Sequence, residues 1–188
     1  MKASIYTRLI YTLALLLAIS YTAGAQRIAI TSNLLEDAFI TPNAGVEIVV
    51  SDRQALTFDA SYAPYKLSEQ FHNKRMTVRL GYKLWFNQAL YAHYIGLDAI
   101  ASSSDVRVGS NLGSRDEYIG AGIGYGYSFI MGERLNLIPE IGVGIGYGNS
   151  YDGYDQMVGA GQGVQAIVTR NFKPILTRLG ITIQYVLK

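Results

Sequence analysis

Two neighbouring segments between Tyr118 and Tyr147 place glycine or a polar residue at almost every second position and mostly large apolar residues between them. They read YIGAGIGYGYSFI and, after a short MGERLN break, LIPEIGVGIGY. A period of two over about ten residues predicts β-strands, because successive side chains of a strand point to opposite faces. Bulky apolar groups on one face and small groups on the other are typical of strands that separate lipid from a crowded polar interior.

The same alternation recurs along the chain and predicts eight strands. The other six are predicted at 27–34, 43–50, 56–62, 76–85, 89–101 and 177–187. The connections alternate between long and short, as in outer-membrane barrels with short periplasmic turns and long external loops. Long segments outside the strands are predicted at 35–42, 63–75, 102–117 and 148–173. The predicted fold class is therefore all-β, an eight-stranded antiparallel transmembrane up-and-down β-barrel.

The N-terminus has the three parts of a secretory signal peptide. Lys2 and Arg8 give a positive start, residues 9–19 are apolar, and Ala23 and Ala25 form a small-residue cleavage site. We therefore expect residues 1–25 to be cleaved and residues 26–188 to form one barrel domain. Beyond position 25, no apolar run approaches the roughly 18 to 20 residues of a spanning helix, so strands would have to cross the membrane.

Charged residues of the predicted strands fall almost entirely on the face opposite the large apolar side chains. On a lipid-facing surface each Arg or Lys would cost about 2–4 kcal/mol at mid-membrane. Inside a barrel the same residues can pair, and we expect them to form a structural charge network in the lumen. Its members are Glu47, Asp59, Arg79, Lys83, Asp98, Glu140 and Arg178.

Aromatic residues on the apolar face cluster near the strand ends, as expected of the girdles at the two membrane interfaces. Tyr62 and Tyr147 are expected near the outer ends. The remaining members are expected near the periplasmic ends: Tyr82, Tyr91, Tyr125, Tyr127, Phe129 and Tyr185. His93 would be a polar residue on this face, close to the periplasmic rim.

Several short motifs resemble those of a family of Bacteroidetes outer-membrane β-barrel proteins that carries a domain of unknown function. They are Asn33-Leu34-Leu35 with Asp37, Thr41-Pro42-Asn43 with Gly45 and Glu47, Tyr62 with Pro64-Tyr65-Lys66, Arg79 with Gly81-Tyr82 and Trp85, His93 with Gly96-Leu97, Gly122 to Tyr127, and Asn136-Leu137 with Glu140 to Gly144. The resemblance implies an eight-stranded barrel in the cell outer membrane and suggests a link to surface or fimbrial assembly. It supplies no catalytic residues.

The composition argues against several kinds of chemistry. The chain has no cysteine, which excludes disulfides, thiolate metal sites and cysteine catalysis. A formal net charge of +2 gives no basic footprint for nucleic acid. The glycine runs do not complete the dinucleotide motif G-x-G-x-x-G, because Tyr125 and Tyr147 stand at its third glycine. No cofactor or metal is therefore expected.

The function that fits best is non-enzymatic, a structural or surface-interaction protein. Its expected partners are outer-membrane lipid, the barrel-insertion machinery and an extracellular or surface-assembly protein. We expect the lumen to be plugged, with Arg79, Trp85 and Tyr94 filling the space above the glycine strands, since eight strands leave room only for side chains. One alternative is a narrow pore for small solutes. Another is a lipid hydrolase at the outer rim, built on Ser68, Glu69 and His72.

Overall fold

Eight β-strands and one short helix make up almost all of the chain that can be described. The computed structural model describes residues 27–66, 71–108, 112–152 and 167–187. The predicted signal peptide lies outside these ranges. The elements are β1 Ile28–Asn33, α1 Leu34–Ala38, β2 Asn43–Ser51, β3 Gln54–Lys66, β4 Phe71–Trp85, β5 Ala92–Val108, β6 Leu112–Ile130, β7 Leu135–Asp152 and β8 Ile167–Val186.

The strands form one closed ring. Each strand pairs antiparallel with the next, and β1 pairs with β8 to close the sheet. The turns at 52–53, 86–91 and 131–134 lie at one end, here called the turn end, together with Arg27 and Leu187. The opposite end is called the far end. The predicted all-β fold with eight antiparallel strands is confirmed in this coarse form.

The two faces of the ring differ sharply in chemistry. Outward positions carry large apolar side chains, and Leu80, Ile119 and Ile145 are 57%, 66% and 63% exposed. Inward positions carry charged and polar side chains, and Lys83 and Arg178 are only 2% and 3% exposed. Because successive side chains of a strand point to opposite faces, regular alternation sorts most of the strand residues into these two sets.

The strands extend much further at the far end than the alternation predicts. The predicted loops 63–75 and 102–117 are mostly paired strand, since β3 and β4 pair up to Lys66 and His72, and β5 and β6 up to Val108 and Leu112. The predictions were wrong because hydrogen-bonded pairing continues where the residues are mostly polar and do not alternate between apolar and polar. An apolar period cannot reveal such an extension.

Three other predicted boundaries were also wrong. The predicted loop 148–173 contains the end of β7 and the start of β8, which pair from Gly148 to Asp152 and from Ile167 to Asn171. The predicted loop 35–42 contains most of α1. The strand predicted at 89–101 begins only at Ala92, because residues 86–91 form an inward-folded turn.

A β-bulge in β8 places two successive side chains inside the ring. Gly142 pairs with Arg178, but Val143 pairs with Leu176, so Thr177 is the extra residue. Thr177 and Arg178 are both buried. A bulge inserts one residue against a continuous partner strand and re-aims its side chains. Here it adds an interior side chain at the level of the glycines.

The turn end is closed by an apolar cluster beneath the charged interior. Trp85, Tyr94 and Ile138 pack with residues of the turn 86–91. The carbonyl oxygen of Leu90 accepts hydrogen bonds from Ser128 Oγ at 2.9 Å and Asn136 Nδ2 at 3.2 Å. These bonds tie the turn into the ring, so the chain itself seals this end.

Helix α1 folds inward where β1 ends. Asn33 caps it, because its Oδ1 accepts from the backbone N–H of Leu35 and Glu36 while its Nδ2 donates to the carbonyl oxygen of Leu179 at 3.2 Å. Gly180 allows this approach. It has a φ of +138°, and a Cβ there would lie 2.5 Å from Asn33 Oδ1. The helix thereby covers the interior at the far end.

Candidate functional site

The interior charges form three connected groups, and the one nearest the turn end centres on Lys83. Lys83 Nζ donates to Glu47 Oε2 at 2.8 Å, and the same oxygen accepts from Gln184 Nε2 at 2.9 Å. Lys83 Nζ also lies 4.5 Å from the ring centroid of Tyr94. Glu47 is completely buried. The pair therefore offers little to solvent, and each charge depends on its partner.

Arg178 holds the second group together across the ring. Its Nε and Nη2 donate to Asp98, with the shortest contact 2.7 Å from Nη2 to Oδ1. Nη2 also donates to Thr57 Oγ1 at 3.1 Å. A fork of this kind satisfies both oxygens of a carboxylate and fixes the orientation of the guanidinium group. Arg178 thus joins β8 to β3 and β5 through the lumen.

Glu140 links the second group to the apolar cluster. It accepts from Tyr94 Oη at 2.5 Å and from Thr182 Oγ1 at 2.7 Å, and Arg178 Nη1 lies 3.5 Å from its Oε2. Tyr94 therefore has one end in the apolar cluster and its hydroxyl in the charge network. This arrangement suits a tyrosine, which combines a large apolar ring with one polar group.

The third group lies under α1 and includes a residue that the sequence interpretation missed. Arg79 approaches Asp59 at 3.8 Å and Glu36 at 3.7 Å. Glu36 was assigned to a loop and omitted from the network. An Asn followed three residues later by a Glu is close to a helix N-terminal signature, and could have revealed both α1 and the inward Glu36. With Glu36 included, these three groups together contain five carboxylates and three cations.

Side chains from other strands fill the space that the glycines leave. A Cβ on Gly126 would lie 2.4 Å from the ring of Tyr94, and one on Gly122 would lie 2.6 Å from Thr177 Cγ2. Trp85 packs on Tyr94 with ring centroids 4.9 Å apart. Tyr94 thus fills this space as expected. Arg79 does not, because it lies beneath α1 against Asp59 and Glu36.

Little free space remains within the network. A cavity of about 20 Å³ lies between Arg79, Asp59, Glu36 and the hydroxyl-bearing residues around them. A cavity of this size holds about one water molecule.

The aromatic residues assigned to the girdles lie on the outward face or beside it. Tyr62 and Tyr147 are exposed towards the far end. Those towards the turn end are Tyr82, Tyr91, Tyr125, Tyr127, Phe129 and Tyr185. Tyr91 lies in the turn before β5 and not in the strand. His93 contacts three of its aromatic neighbours: its Nδ1 hydrogen-bonds Tyr125 Oη, and its ring packs on Tyr127 and Phe86.

A separate polar cluster lies on the inner face near the far end, in the extensions that were predicted as loops. Lys173 Nζ bonds to Asp116 Oδ1 and lies 3.1 Å from Ser150 Oγ. Ser150 Oγ donates to Asp116 at 2.7 Å, and the ring of Tyr118 lies 5.1 Å from Lys173 Nζ. Because the ammonium group of Lys173 is paired with a carboxylate, it is poorly suited to proton transfer. The cluster is better suited to joining β6, β7 and β8.

The outward face becomes polar along one row of paired residues near the far end. Four of its five residues are polar, Ser103, Glu117, Asn149 and Arg170 of β5 to β8, and Met76 of β4 is the apolar exception. Towards the turn end, each of the next three rows on these strands consists of four apolar residues and one tyrosine or proline. The outer surface therefore has a defined upper limit to its apolar belt.

Other kinds of site find limited support. Ser68 and Glu69 of the suggested hydrolase lie outside the described residues, and His72 falls in β4. In the described ranges, no three His, Cys, Asp or Glu side chains converge as a metal site requires. No helix there is long and apolar enough to cross a membrane.

Together these features define an all-β protein: a closed ring of eight antiparallel strands with a buried charge network inside and an apolar outer belt. The chain belongs to the family described as protein of unknown function DUF3575, whose model matches residues 11–187. This confirms the expected domain of unknown function. No curated protein and no solved structure matches the chain.

Proposed function

We propose that the mature protein is a plugged eight-stranded β-barrel of the outer membrane, with a non-enzymatic structural or surface-interaction role. One observation carries the proposal: the apolar side chains face outward and the ionic ones are buried inside. A protein folded in water would place them the other way round. The signal-like N-terminus and the resemblance to outer-membrane proteins support the same location.

The height of the apolar belt fits a membrane. On β6, outward residues are apolar or aromatic from Phe129 to Ile119, and Glu117 follows. Ten residue steps span roughly 34 Å along a strand. A tilt of about 40° reduces this to roughly 26 Å. Outer-membrane barrels carry an apolar band about 25 Å tall. The charged row at Glu117 and Arg170 then lies at the level of the lipid head groups.

The filled interior favours a structural or binding role over a pore. A cavity of about 20 Å³ holds one water molecule and provides no path for a solute. The extended far ends of β3 to β8 rise above the belt and would present polar strands to the exterior. A surface-assembly or other extracellular partner would meet them there.

Single cysteine substitutions test both location and orientation, because the chain has no cysteine of its own. Arg115→Cys, above the belt, should react with a membrane-impermeant maleimide on intact cells. Arg134→Cys, at the turn end, should react only after the outer membrane is permeabilised. Leu80→Cys, within the belt, should react only after denaturation, since lipid shields it.

Each result has a distinct meaning. Labelling of Leu80→Cys in the native protein as fast as Arg115→Cys would contradict the membrane location. Reversal of the Arg115→Cys and Arg134→Cys results would contradict only the orientation. Unsubstituted protein is the control for unspecific labelling.

A further inference from the structure

The outward face of β5 and β6 is recessed within the apolar belt. Across four strands, one row of paired residues reads Leu80, Ala99, Ala121, Ile145. The two central positions carry only a methyl group, whereas Leu80 and Ile145 on either side are large and exposed. The row therefore forms a floor between two ridges.

The neighbouring rows bound this recess lengthwise. Towards the turn end, Leu97 and Ile123 restore large side chains on the same two strands. Towards the far end the recess narrows to β5, where Ala101 lies between Val78 of β4 and the large, exposed Ile119 of β6. Tyr147 stands next to Ile119 on β7. Two hollows of about 550 and 560 Å³ follow this course and share lining residues. The resulting groove runs along the strands and is closed at one end.

The open end of the groove meets a basic and polar group. The Arg170 guanidinium lies 5.0 Å from the ring centroid of Tyr147, and the Phe172 ring also contacts Tyr147, with ring centroids 4.8 Å apart. Asn149 lies beside Arg170 in the same row. Within this row Glu117 pairs with Arg115 at 3.4 Å. Arg170 has no carboxylate partner among the described ion pairs, so it can receive an anion.

We propose that this groove binds one lipid molecule that carries an anionic, phosphate-bearing head group. An acyl chain would lie over Ala99 and Ala121, and the phosphate would contact Arg170. The inference rests on the proposed membrane location, because only there does the groove face lipid. Apolar volume and a charge at the expected head-group level together match this amphipathic occupant. Arginine is well suited to the phosphate because its planar donors match the phosphate oxygens.

Native mass spectrometry of the full chain, purified in detergent and stripped of lipid, tests the proposal. The probes are phosphatidylglycerol and a diacylglycerol with the same acyl chains but no phosphate. We expect the protein to retain one phosphatidylglycerol and to retain diacylglycerol about tenfold less well, the scale of one charge-assisted contact. Arg170→Gln should lower phosphatidylglycerol retention to the diacylglycerol level.

Filling the groove tests the acyl chain separately. Ala121→Leu should reduce retention of both lipids. Ala44→Leu is the matched control on the outward face of β2, outside the groove, and should leave retention unchanged. Equal retention by Ala121→Leu and the unsubstituted protein, or no retention of either lipid, would overturn the proposal. A protein that passes the cysteine-labelling test yet retains no lipid would refute the groove alone and leave the membrane location intact.

Discussion

At the scale of single residues, the interior cations differ in how completely they are paired. Arg178 makes close contacts with Asp98 and Thr57 and is 3% exposed, whereas Arg79 reaches its two carboxylates only at 3.7 and 3.8 Å. The Arg79 side chain is also 12% exposed. Removing one partner of a buried pair leaves the other charge uncompensated, and the cost grows with burial.

We therefore predict that Arg178→Leu destabilises the protein by about 3–5 kcal/mol, because Asp98 and Glu140 lose their nearest cation. Arg79→Leu should cost less, since Asp59 still lies 3.5 Å from Arg178. Urea unfolding in detergent micelles, followed by heat-modifiable gel mobility, would measure both. Lys74→Leu, an exposed lysine on β4, is the control and should change the free energy of unfolding little. An equal loss for Arg178→Leu and Arg79→Leu would contradict this ranking.

At the scale of elements, several of the inward-facing glycines of β6 and β7 leave no room for a side chain beside the neighbouring backbone. A Cβ on Gly144 would lie 2.2 Å from the carbonyl oxygen of Ala121 and 2.7 Å from Gly122 Cα. These are backbone atoms of the neighbouring strand, which cannot move without breaking the pairing. Gly96 on β5 differs, since its nearest neighbour would be 3.6 Å away. The alternating glycines therefore have unequal roles.

We predict that Gly144→Ala destabilises the protein by about 1–3 kcal/mol or more, as overpacking does. Gly96→Ala should be neutral or stabilising by up to about 1 kcal/mol, because it restricts the unfolded chain and meets only ordinary contact. The temperature at which the folded gel band disappears would compare the two variants. A similar melting temperature for both variants would contradict the inference that close backbone contact makes Gly144 harder to replace than Gly96.

The sequence interpretation succeeded where one face of a strand is apolar and the other is not. Residues such as Leu80 and Lys83 are assigned to opposite faces by a period of two. It failed at Glu36, whose inward position depends on the fold of α1 and on Gly180 making room for Asn33. It also failed for the far ends of β5 and β6, because their pairing is hydrogen-bonded and leaves no hydrophobic pattern.

At the scale of the whole molecule, three layers close the interior. The turn 86–91 and its apolar cluster seal the turn end, the ion pairs around Arg178 occupy the middle, and α1 covers the far side. Each layer comes from a different part of the chain. A solute would have to pass all three, so the loss of a single side chain would not open a path.

We therefore predict that the purified protein gives no stable conductance steps in planar lipid bilayers. Arg79→Ala should also remain silent, because the Arg178 pairs and the apolar cluster lie below it. Opening two layers at once is the stronger challenge. Arg178→Ala together with Tyr94→Ala removes the central cation and one ring of the apolar cluster, and should give steps provided the folded gel band persists. Stable steps from the unsubstituted protein that vanish in Arg79→Ala would show that Arg79 lines a conducting path. The lumen would then be a pore, and the plugged barrel would be the wrong description.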